Sequence, residues 1–342
     1  MYFNPSKLLF FSTLIMGTLI TISANSWIGA WMGLEINLLS FIPLMMDTNN
    51  LMSTESSLKY FLTQALASSM LLFIVLIYMI KTNMLNYWEM NTKWISLIIN
   101  SCLLMKAGAA PFHFWFPNVM EGMNWMNSLI LLTVQKIAPL VLLSYTLQDS
   151  MIYFIIMLCI IVGSLGGLNQ TSLRKVMAFS SINHLGWILS AMLTGENLWM
   201  SYFLFYSALT LSMITLFKMF KLYYMSQMFA LCNHTVLIKF SLFINLLSLG
   251  GLPPFLGFMP KWLVIQMLIK ENLHFLMVLM VTFTLITLYF YLRLFFAASL
   301  MNFNEMSWNF KILNQKNYSL TLLLNFISVT GLFLIFLMYS MI

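Results

Sequence analysis

Residues 249–262 read LGGLPPFLGFMPKW and lie in an apolar stretch that extends from residue 240 to residue 269. As one straight helix these 30 residues would measure about 45 Å at ~1.5 Å per residue, well beyond the roughly 30 Å of a bilayer's hydrocarbon core. Three glycines and three prolines in the quoted segment oppose a continuous helix. The segment therefore predicts a discontinuous membrane helix near 250–261, with Lys261 at the break.

The whole chain has the composition of a protein whose solvent is lipid. Of 342 residues, 61% are hydrophobic, 16 are basic and 9 are acidic, whereas a soluble chain of this length would carry about 85 charged residues. The mean hydropathy is +0.90. These values exclude a water-soluble fold and predict an all-α polytopic membrane protein.

Eleven apolar runs approach or exceed the ~20 residues that a crossing helix needs. Short connections between them predict antiparallel neighbours, and the runs together predict a single transmembrane domain over 1–342. The predicted spans are 8–23, 27–46, 58–80, 94–110, 125–147, 151–168, 176–193, 198–217, 240–269, 275–300 and 318–341.

The basic residues outside the spans predict the orientation. When alternate connections are placed on opposite sides, three cations fall on one side: Lys81, Lys93 and Lys270. Ten fall on the other side: Lys7, Lys59, Arg174, Lys175, Lys218, Lys221, Lys239, Arg293, Lys311 and Lys316. Because excess Lys and Arg stay on the side of insertion, we expect the N-terminus on the matrix or cytoplasmic side and the C-terminus on the opposite side.

Four ionisable residues lie inside the predicted spans: Glu35, Lys106, Lys136 and Lys261. Each charge at mid-membrane costs about 2.5–3.5 kcal/mol on insertion scales, so these residues need a reason to be there. One reading is a structural ion pair, but a single Glu cannot neutralise three Lys. The other reading is proton carriage, because burial favours a neutral amine and a nearby carboxylate favours an ammonium. Both readings stay open on the residues alone.

A second break is predicted near 106–117, where the sequence reads KAGAAPFHFWFP. His113 lies within this break, and His184 lies on a polar stripe of the span 176–193. Either imidazole could relay protons near neutral pH, or it could be a hydrogen-bonded structural residue. The histidines, acids and three widely spaced cysteines (Cys102, Cys159 and Cys232) show no metal-ligand, disulfide or iron–sulfur spacing, so we expect no metal.

Seven motifs together resemble the antiporter-like, proton-pumping subunit family of respiratory complex I (NADH-ubiquinone oxidoreductase), in its animal mitochondrial, insect-like form. They lie at 31–39 (WMGLEINLL), 58–64 (LKYFLTQ), 106–117, 135–139 (QKIAP), 166–175 (GGLNQTSLRK), 180–187 (SSINHLGW) and 249–262. The resemblance extends to about Arg293 and weakens beyond it. It implies an inverted-repeat architecture, although bacterial members have fourteen helices and this chain matches the animal form that lacks the first three.

The resemblance also implies roles for the buried residues. Glu35 and Lys106 would form an ion pair in which movement of Glu35 tunes the proton affinity of Lys106. Lys136 would be the central lysine of a hydrated axis and Lys261 the terminal one. His113 and His184 match polar positions of the same axis.

Further expectations concern cofactors, partners and location. The resemblance implies no cofactor in this chain, with NADH, FMN, iron–sulfur clusters and ubiquinone in other subunits. It implies contacts with other membrane-arm subunits, including neighbouring antiporter-like subunits, and with phospholipids, but none with nucleic acid. It places the chain in the mitochondrial inner membrane. The Met- and Asn-rich composition, with Lys far above Arg, and the apolar run directly after Lys7 predict mitochondrial encoding without a cleaved presequence.

Two rival functions fit the same sequence. The first is a structural scaffold that spaces neighbouring pump subunits, with its charges held in static pairs. The second is a free-standing cation/proton antiporter of the same superfamily.

Overall fold

The computed structural model describes residues 5–47, 50–82, 93–232 and 236–300, together with Phe326, Ser328 and Gly331. Across these residues the chain is helical, and its only β-type pairing is an isolated bridge between Ser172 and Tyr224. Eight helices of the described part are long and apolar enough to cross a membrane. The predicted all-α membrane fold is therefore confirmed.

The described ranges contain fourteen helices. They are α1 (Pro5–Ser23), α2 (Trp27–Met45), α3 (Leu51–Thr82), α4 (Lys93–Ala107), α5 (Trp115–Gly122), α6 (Trp125–Leu132), α7 (Val134–Tyr145), α8 (Asp149–Gly167), α9 (Leu173–Thr194), α10 (Glu196–Phe220), α11 (Met225–Cys232), α12 (Val236–Gly250), α13 (Phe258–Lys270) and α14 (His274–Leu300).

Both predicted helix breaks are confirmed. One falls between α4, which ends at Ala107, and α5, which begins at Trp115, and the other falls between α12 and α13. Ten of the eleven predicted spans correspond to one described helix or to a pair of consecutive helices. The eleventh, 318–341, lies outside the described residues except for Phe326, Ser328 and Gly331. The short helices α5 and α11 had not been predicted.

The predicted span 125–147 corresponds to the candidate membrane span Trp125–Tyr145, but it contains an interruption that had not been predicted. Helix α6 ends at Leu132 and α7 begins at Val134, with Thr133 between them at φ −115° and ψ −75°. The Thr133 hydroxyl donates to the Leu129 carbonyl at 2.8 Å. Such back-bonding to the preceding turn bends helices, and it gives a physical reason for an interruption that lies upstream of Pro139.

The outward faces of the long helices are apolar. Leu58, Leu62 and Leu66 of α3 are each at least 60% exposed and lie at four-residue spacing along one side of the helix. A soluble monomer rarely presents apolar stripes of this kind. These faces therefore suit contact with lipid.

The contacts divide the chain into two compact units, Met1–Ile155 and Ile156–Ile342. In the first unit α2 packs on α1 and α3, and α7 packs on α4, α1 and α2. In the second unit α9 is the most enclosed helix, and it packs on α10, α13 and α14. The single domain predicted over 1–342 stays a prediction.

The close approach of α1 and α2 requires a residue without a side chain at position 33. A Cβ atom on Gly33 would lie 2.6 Å from Thr21 Cγ2 and 2.8 Å from the Thr21 backbone nitrogen. Small residues let membrane helices pack at this distance. The position of α2, which carries Glu35, therefore depends on Gly33.

We expect Gly33→Ala to destabilise the subunit by about 1–3 kcal/mol, because an added methyl group must push α1 away from α2. The amount of the subunit recovered in assembled complex, and the temperature at which it dissociates, would measure the effect. Gly29→Ala in the same helix is the control, since a Cβ there meets its nearest atoms at an ordinary 3.4 Å. Equal behaviour of the two variants would contradict the packing argument.

Candidate functional site

Lys106 lies in the last turn of α4, where the helix ends in a Schellman motif. The Ala109 amide donates to the Leu104 carbonyl at 3.0 Å and the Gly108 amide donates to the Met105 carbonyl at 3.3 Å. Gly108 adopts φ +76°, the left-handed conformation that this motif requires and that glycine adopts without strain. The sequence after Lys106 thus stops the helix one residue later and fixes the lysine at the break.

Lys106 and Glu35 approach each other without direct contact. The Glu35 carboxylate acts electrostatically on the Lys106 ammonium. Among the described residues, however, Lys106 Nζ and the buried Glu35 Oε2 have no hydrogen-bond partner, and they form no ion pair within 4.0 Å. Buried polar atoms without partners are rare in proteins. Within the described residues, the two groups thus interact electrostatically without forming the ion pair that the resemblance implies.

Lys136 lies in the first turn of α7, directly after the interruption at Thr133. Its backbone amide donates to the Thr133 carbonyl at 3.1 Å, and its side chain is 1% exposed. The ammonium nitrogen lies 5.1 Å from the centre of the Phe116 ring, within the range of a cation–π contact. Pro139, three residues later, offers no amide to the Gln135 carbonyl, so the backbone beside Lys136 is incompletely bonded.

A small cavity of the first unit brings Lys106 and Lys136 together. Its volume is about 20 Å³, and one water molecule needs roughly 10–15 Å³ on that measure. Both lysines line it. Four uncharged polar side chains also line it: Asn37, Tyr60, Gln64 and Gln135.

Three of these polar side chains form a hydrogen-bonded chain. Gln135 Nε2 donates to Asn37 Oδ1 at 2.9 Å, and the Tyr60 hydroxyl donates to Gln135 Oε1 at 3.3 Å. The Tyr60 ring is held edge-on against Phe41, with ring centres 5.3 Å apart, and it also packs on Trp115. The donor direction of each hydrogen bond in this series of side chains is therefore fixed by the neighbouring groups.

Sequence reasoning had not named this trio as functional residues. The available signal was an uncharged polar side chain within an apolar span: Asn37 two residues after Glu35, and Gln135 next to Lys136. Such residues in membrane helices commonly make hydrogen bonds between helices, so the signal does not single out a functional site.

In the second unit, Lys261 reaches back to the end of the preceding half-helix. Its ammonium donates to the Gly250 carbonyl at 2.8 Å and to the Leu249 carbonyl at 3.4 Å. These are terminal carbonyls of α12, where the helix dipole favours a cation. Gly251, at φ +81°, leaves the space, because a Cβ atom there would lie 2.9 Å from Lys261 Nζ.

In the second unit, Lys261 and His184 both contact a buried cluster of aromatic residues from α9 and α10. The Lys261 ammonium lies 5.9 Å from the centre of the Trp187 ring, and Trp187 stacks on Tyr202. His184 Nδ1 lies 3.0 Å from the Tyr202 hydroxyl, and the His184 ring packs 5.1 Å from that of Tyr206. His184 thus has a defined hydroxyl partner within a buried cluster.

His113 is placed apart from the lysines. It lies in the turn between α4 and α5, with Nδ1 3.3 Å from the Pro111 carbonyl and its ring against Phe114. It does not line the cavity that holds Lys106 and Lys136. Within the described residues, no group of three or more His, Cys, Asp or Glu side chains could hold a metal ion.

Solved structures share this fold. A chain of respiratory complex I from Thermus thermophilus, solved with bound aureothin, superposes with a TM-score of 0.84 at 23% identity and covers 95% of this chain and 77% of that chain. A chain of the membrane-bound sulfane sulfur reductase, an archaeal respiratory membrane complex, gives 0.81 at 20% identity over 95% of this chain and 72% of that chain. At these identities the likeness concerns the fold alone.

Sequence comparison is more specific. Residues 24–287 match the family described as NADH:quinone oxidoreductase/Mrp antiporter, TM. NADH-ubiquinone oxidoreductase chain 2 of Anopheles gambiae is 56% identical, and that of Aedes aegypti is 58% identical, each over 98% of both chains. The corresponding chain of Locusta migratoria is 49% identical over 97% of this chain and 96% of its own length. The chain therefore belongs to the NADH-ubiquinone oxidoreductase chain 2 family of antiporter-like membrane proteins.

Proposed function

We propose that this chain is a proton-translocating subunit of the membrane arm of respiratory complex I, NADH:ubiquinone oxidoreductase. The observation that carries the proposal is the cavity in which two buried lysines meet a chain of uncharged polar groups among apolar helices. The test is the number of protons pumped per NADH oxidised by assembled complex in proteoliposomes, with variants in this cavity.

Two lysines that line one small cavity can exchange a proton. Both ammonium groups repel each other in a medium of low dielectric constant, so protonation of one favours release from the other. Glu35 supplies a movable counter-charge, since an approach of its carboxylate would stabilise the ammonium form of Lys106 and a retreat would destabilise it. The unmade interaction between these two residues supports that role, because a closed ion pair would hold the proton on Lys106.

The polar trio Asn37, Gln135 and Tyr60 would orient the exchange. The Tyr60 hydroxyl hydrogen is engaged by Gln135, which leaves the oxygen lone pairs as acceptors. A water molecule in the cavity could then donate to Tyr60 and accept from a lysine. We propose that the trio positions such a water and that it carries no charge itself.

In the second unit we propose that Lys261 is a further carrier and that His184 is a relay through Tyr202. Release of the proton from Lys261 would weaken its hold on the α12 carbonyls, so its position and its charge are coupled. His113 is proposed as a relay at the first break, with its position in the turn between α4 and α5 as support.

The wider assignments follow the family. The redox chemistry from NADH to ubiquinone takes place in other subunits, and this chain makes and breaks no covalent bond. We place it in the mitochondrial inner membrane, encoded in the mitochondrion, with its N-terminus on the matrix side and its C-terminus in the intermembrane space. Its partners are other membrane-arm subunits, including neighbouring antiporter-like subunits, and phospholipids.

One observation favours the scaffold as a second candidate function. Lys261 is hydrogen-bonded to two helix-end carbonyls, and a permanent cap of this kind would need no titration. A fixed ammonium and a titrating amine respond differently to replacement by arginine, which stays protonated in proteins.

We expect Tyr60→Phe to slow proton flux through this chain about fivefold, the factor that corresponds to ~1 kcal/mol for one hydrogen bond. The ring contacts with Phe41 and Trp115 stay, so assembly is expected to be normal. The rate of proton pumping in proteoliposomes, at matched rates of NADH oxidation, would measure the effect. Tyr78→Phe is the control, because Tyr78 is a buried tyrosine of the same helix that does not line the cavity. Unchanged pumping in Tyr60→Phe would remove the trio from the path.

A further inference from the structure

A second, larger cavity lies in the unit Ile156–Ile342, away from Lys261. Its volume is about 390 Å³. The wall from the α8–α9 connection consists of residues 167–171, and the opposite wall consists of Met225 of α11 and residues of α14. The α14 residues are Phe290, Arg293 and Leu294. The α8–α9 connection thus forms a polar wall, and α11 and α14 form an apolar wall that also carries the guanidinium of Arg293.

The polar wall has hydrogen-bond donors to offer. The backbone amides of Asn169, Gln170 and Thr171 donate to no residue within the described part of the chain. The Gln170 side-chain amide is already engaged, since it donates to the Gly166 carbonyl at 3.1 Å. The segment is held in place by backbone pairing on its far side, where the Met225 amide donates to the Thr171 carbonyl at 3.1 Å. Consecutive free amides beside a guanidinium suit an anion.

The surroundings of the cavity carry one sign of charge. The ends of α8 and α10, the start of α9 and the C-terminal half of α14 meet here, and the bridge between Ser172 and Tyr224 joins the α8–α9 and α10–α11 connections. Residues 165–176, 217–228 and 289–296 contain no acidic residue. They contain five basic residues: Arg174, Lys175, Lys218, Lys221 and Arg293. A local field of this kind attracts anions and raises their local concentration.

The apolar wall continues toward the lipid-facing surface. Leu165 lies two residues before Gly167 on α8 and is 51% exposed, and Phe296 lies two residues after Leu294 on α14 and is 53% exposed. Phe290 and Leu294 are themselves only 3% and 4% exposed, so the apolar surface that is open to an occupant is that of Leu165 and Phe296. An occupant with a phosphate and acyl chains would match both walls at once.

We propose that this cavity binds the headgroup of an anionic phospholipid, with the phosphodiester between Arg293 and the free amides of residues 169–171. Its acyl chains then lie along the exposed apolar residues beside the cavity, Leu165 and Phe296. Basic pockets between membrane helices on the matrix or cytoplasmic side are suited to such lipids. The proposal does not depend on proton carriage by the lysines.

The test uses intact complex reconstituted into bilayers of phosphatidylcholine alone or of equimolar phosphatidylcholine and phosphatidylglycerol. A photoactivatable phosphatidylglycerol probe is added, and labelled peptides are mapped by mass spectrometry. We expect labelling of residues 165–175 and 289–296 in wild type, with a loss of about fivefold in Arg293→Gln. Arg293→Lys keeps the charge and should keep most of the labelling. Lys270→Gln, an exposed cation at the end of α13, is the control and should match wild type.

Three outcomes would overturn the proposal. Labelling that is equal in wild type and Arg293→Gln would mean that the guanidinium does not hold the lipid. Full competition by millimolar inorganic phosphate would mean that the site takes a free anion and not a lipid. A map of the reconstituted complex that shows a protein side chain of another subunit in the cavity would mean that the occupant is a partner.

Discussion

Replacing Lys136 with methionine is expected to lower the number of protons that assembled complex pumps per NADH oxidised. The flux carried by this chain should fall by about a hundredfold or more, the usual contribution of a positioned proton-transfer group. The physical reason is that Lys136 is 1% exposed and lines the cavity with Lys106, so no neighbouring solvent can take over its role. The measurement is the ratio of protons to NADH in proteoliposomes, in which any residual pumping reports the neighbouring subunits.

The matched control is Lys59→Met. Lys59 makes an exposed ion pair with Glu55 at 2.6 Å within α3, and such surface pairs contribute about 0–1 kcal/mol. The same chemical change at this position should leave both assembly and pumping at wild-type values. If Lys136→Met assembles and pumps as well as Lys59→Met, the cavity is not a proton path.

Replacing Lys261 distinguishes a proton carrier from a residue that permanently caps the end of α12. Lys261→Arg keeps donors for the α12 carbonyls but cannot give up its proton, so we expect assembled complex with the flux through this chain reduced about a hundredfold. Lys261→Met should lose pumping as well. It should also assemble less, because the Gly250 carbonyl loses its buried partner at a cost of about 1–3 kcal/mol. Assembly by native electrophoresis and proton-to-NADH ratios measure the two effects.

The control for this pair is Lys270→Arg, on the exposed last turn of the same helix, which should behave as wild type. Normal pumping in Lys261→Arg would show that a fixed charge suffices at this position. The static-cap interpretation, and with it the scaffold, would then hold for the second unit.

The elements that the sequence predicted well are those with a strong local signal. The break between α12 and α13 follows from glycines and prolines inside a stretch too long for one crossing, and the break after Ala107 follows from Gly108 and Pro111. The buried lysines stand out because a charge in an apolar run is rare and costly. For these residues, the local composition of the sequence is nearly sufficient to predict the structural feature.

The interruption at Thr133 was missed for a physical reason. Threonine is tolerated in membrane helices, and only the hydrogen bond of its hydroxyl to the Leu129 carbonyl reveals the break. A single hydroxyl among apolar residues carries no such information in the sequence. The neighbouring position of Lys136, at the start of α7, was therefore also beyond prediction.

The partners of the buried residues could not be predicted either, because they come from distant parts of the chain. Tyr60 and Gln135 are 75 residues apart, and Asn37 and Gln135 are 98 residues apart. Lys261 bonds to carbonyls of the preceding half-helix only because the chain turns at Gly251. Such contacts depend on how helices pack, which a single sequence does not specify.

We propose that Lys136 works by changing its protonation state. The most direct measurement is the proton-to-NADH ratio of assembled complex with Lys136→Arg, because arginine preserves a positive charge while it excludes deprotonation. We expect the same loss of pumping as in Lys136→Met. Wild-type pumping with arginine at position 136 would contradict it, since a charge that never leaves would then be enough.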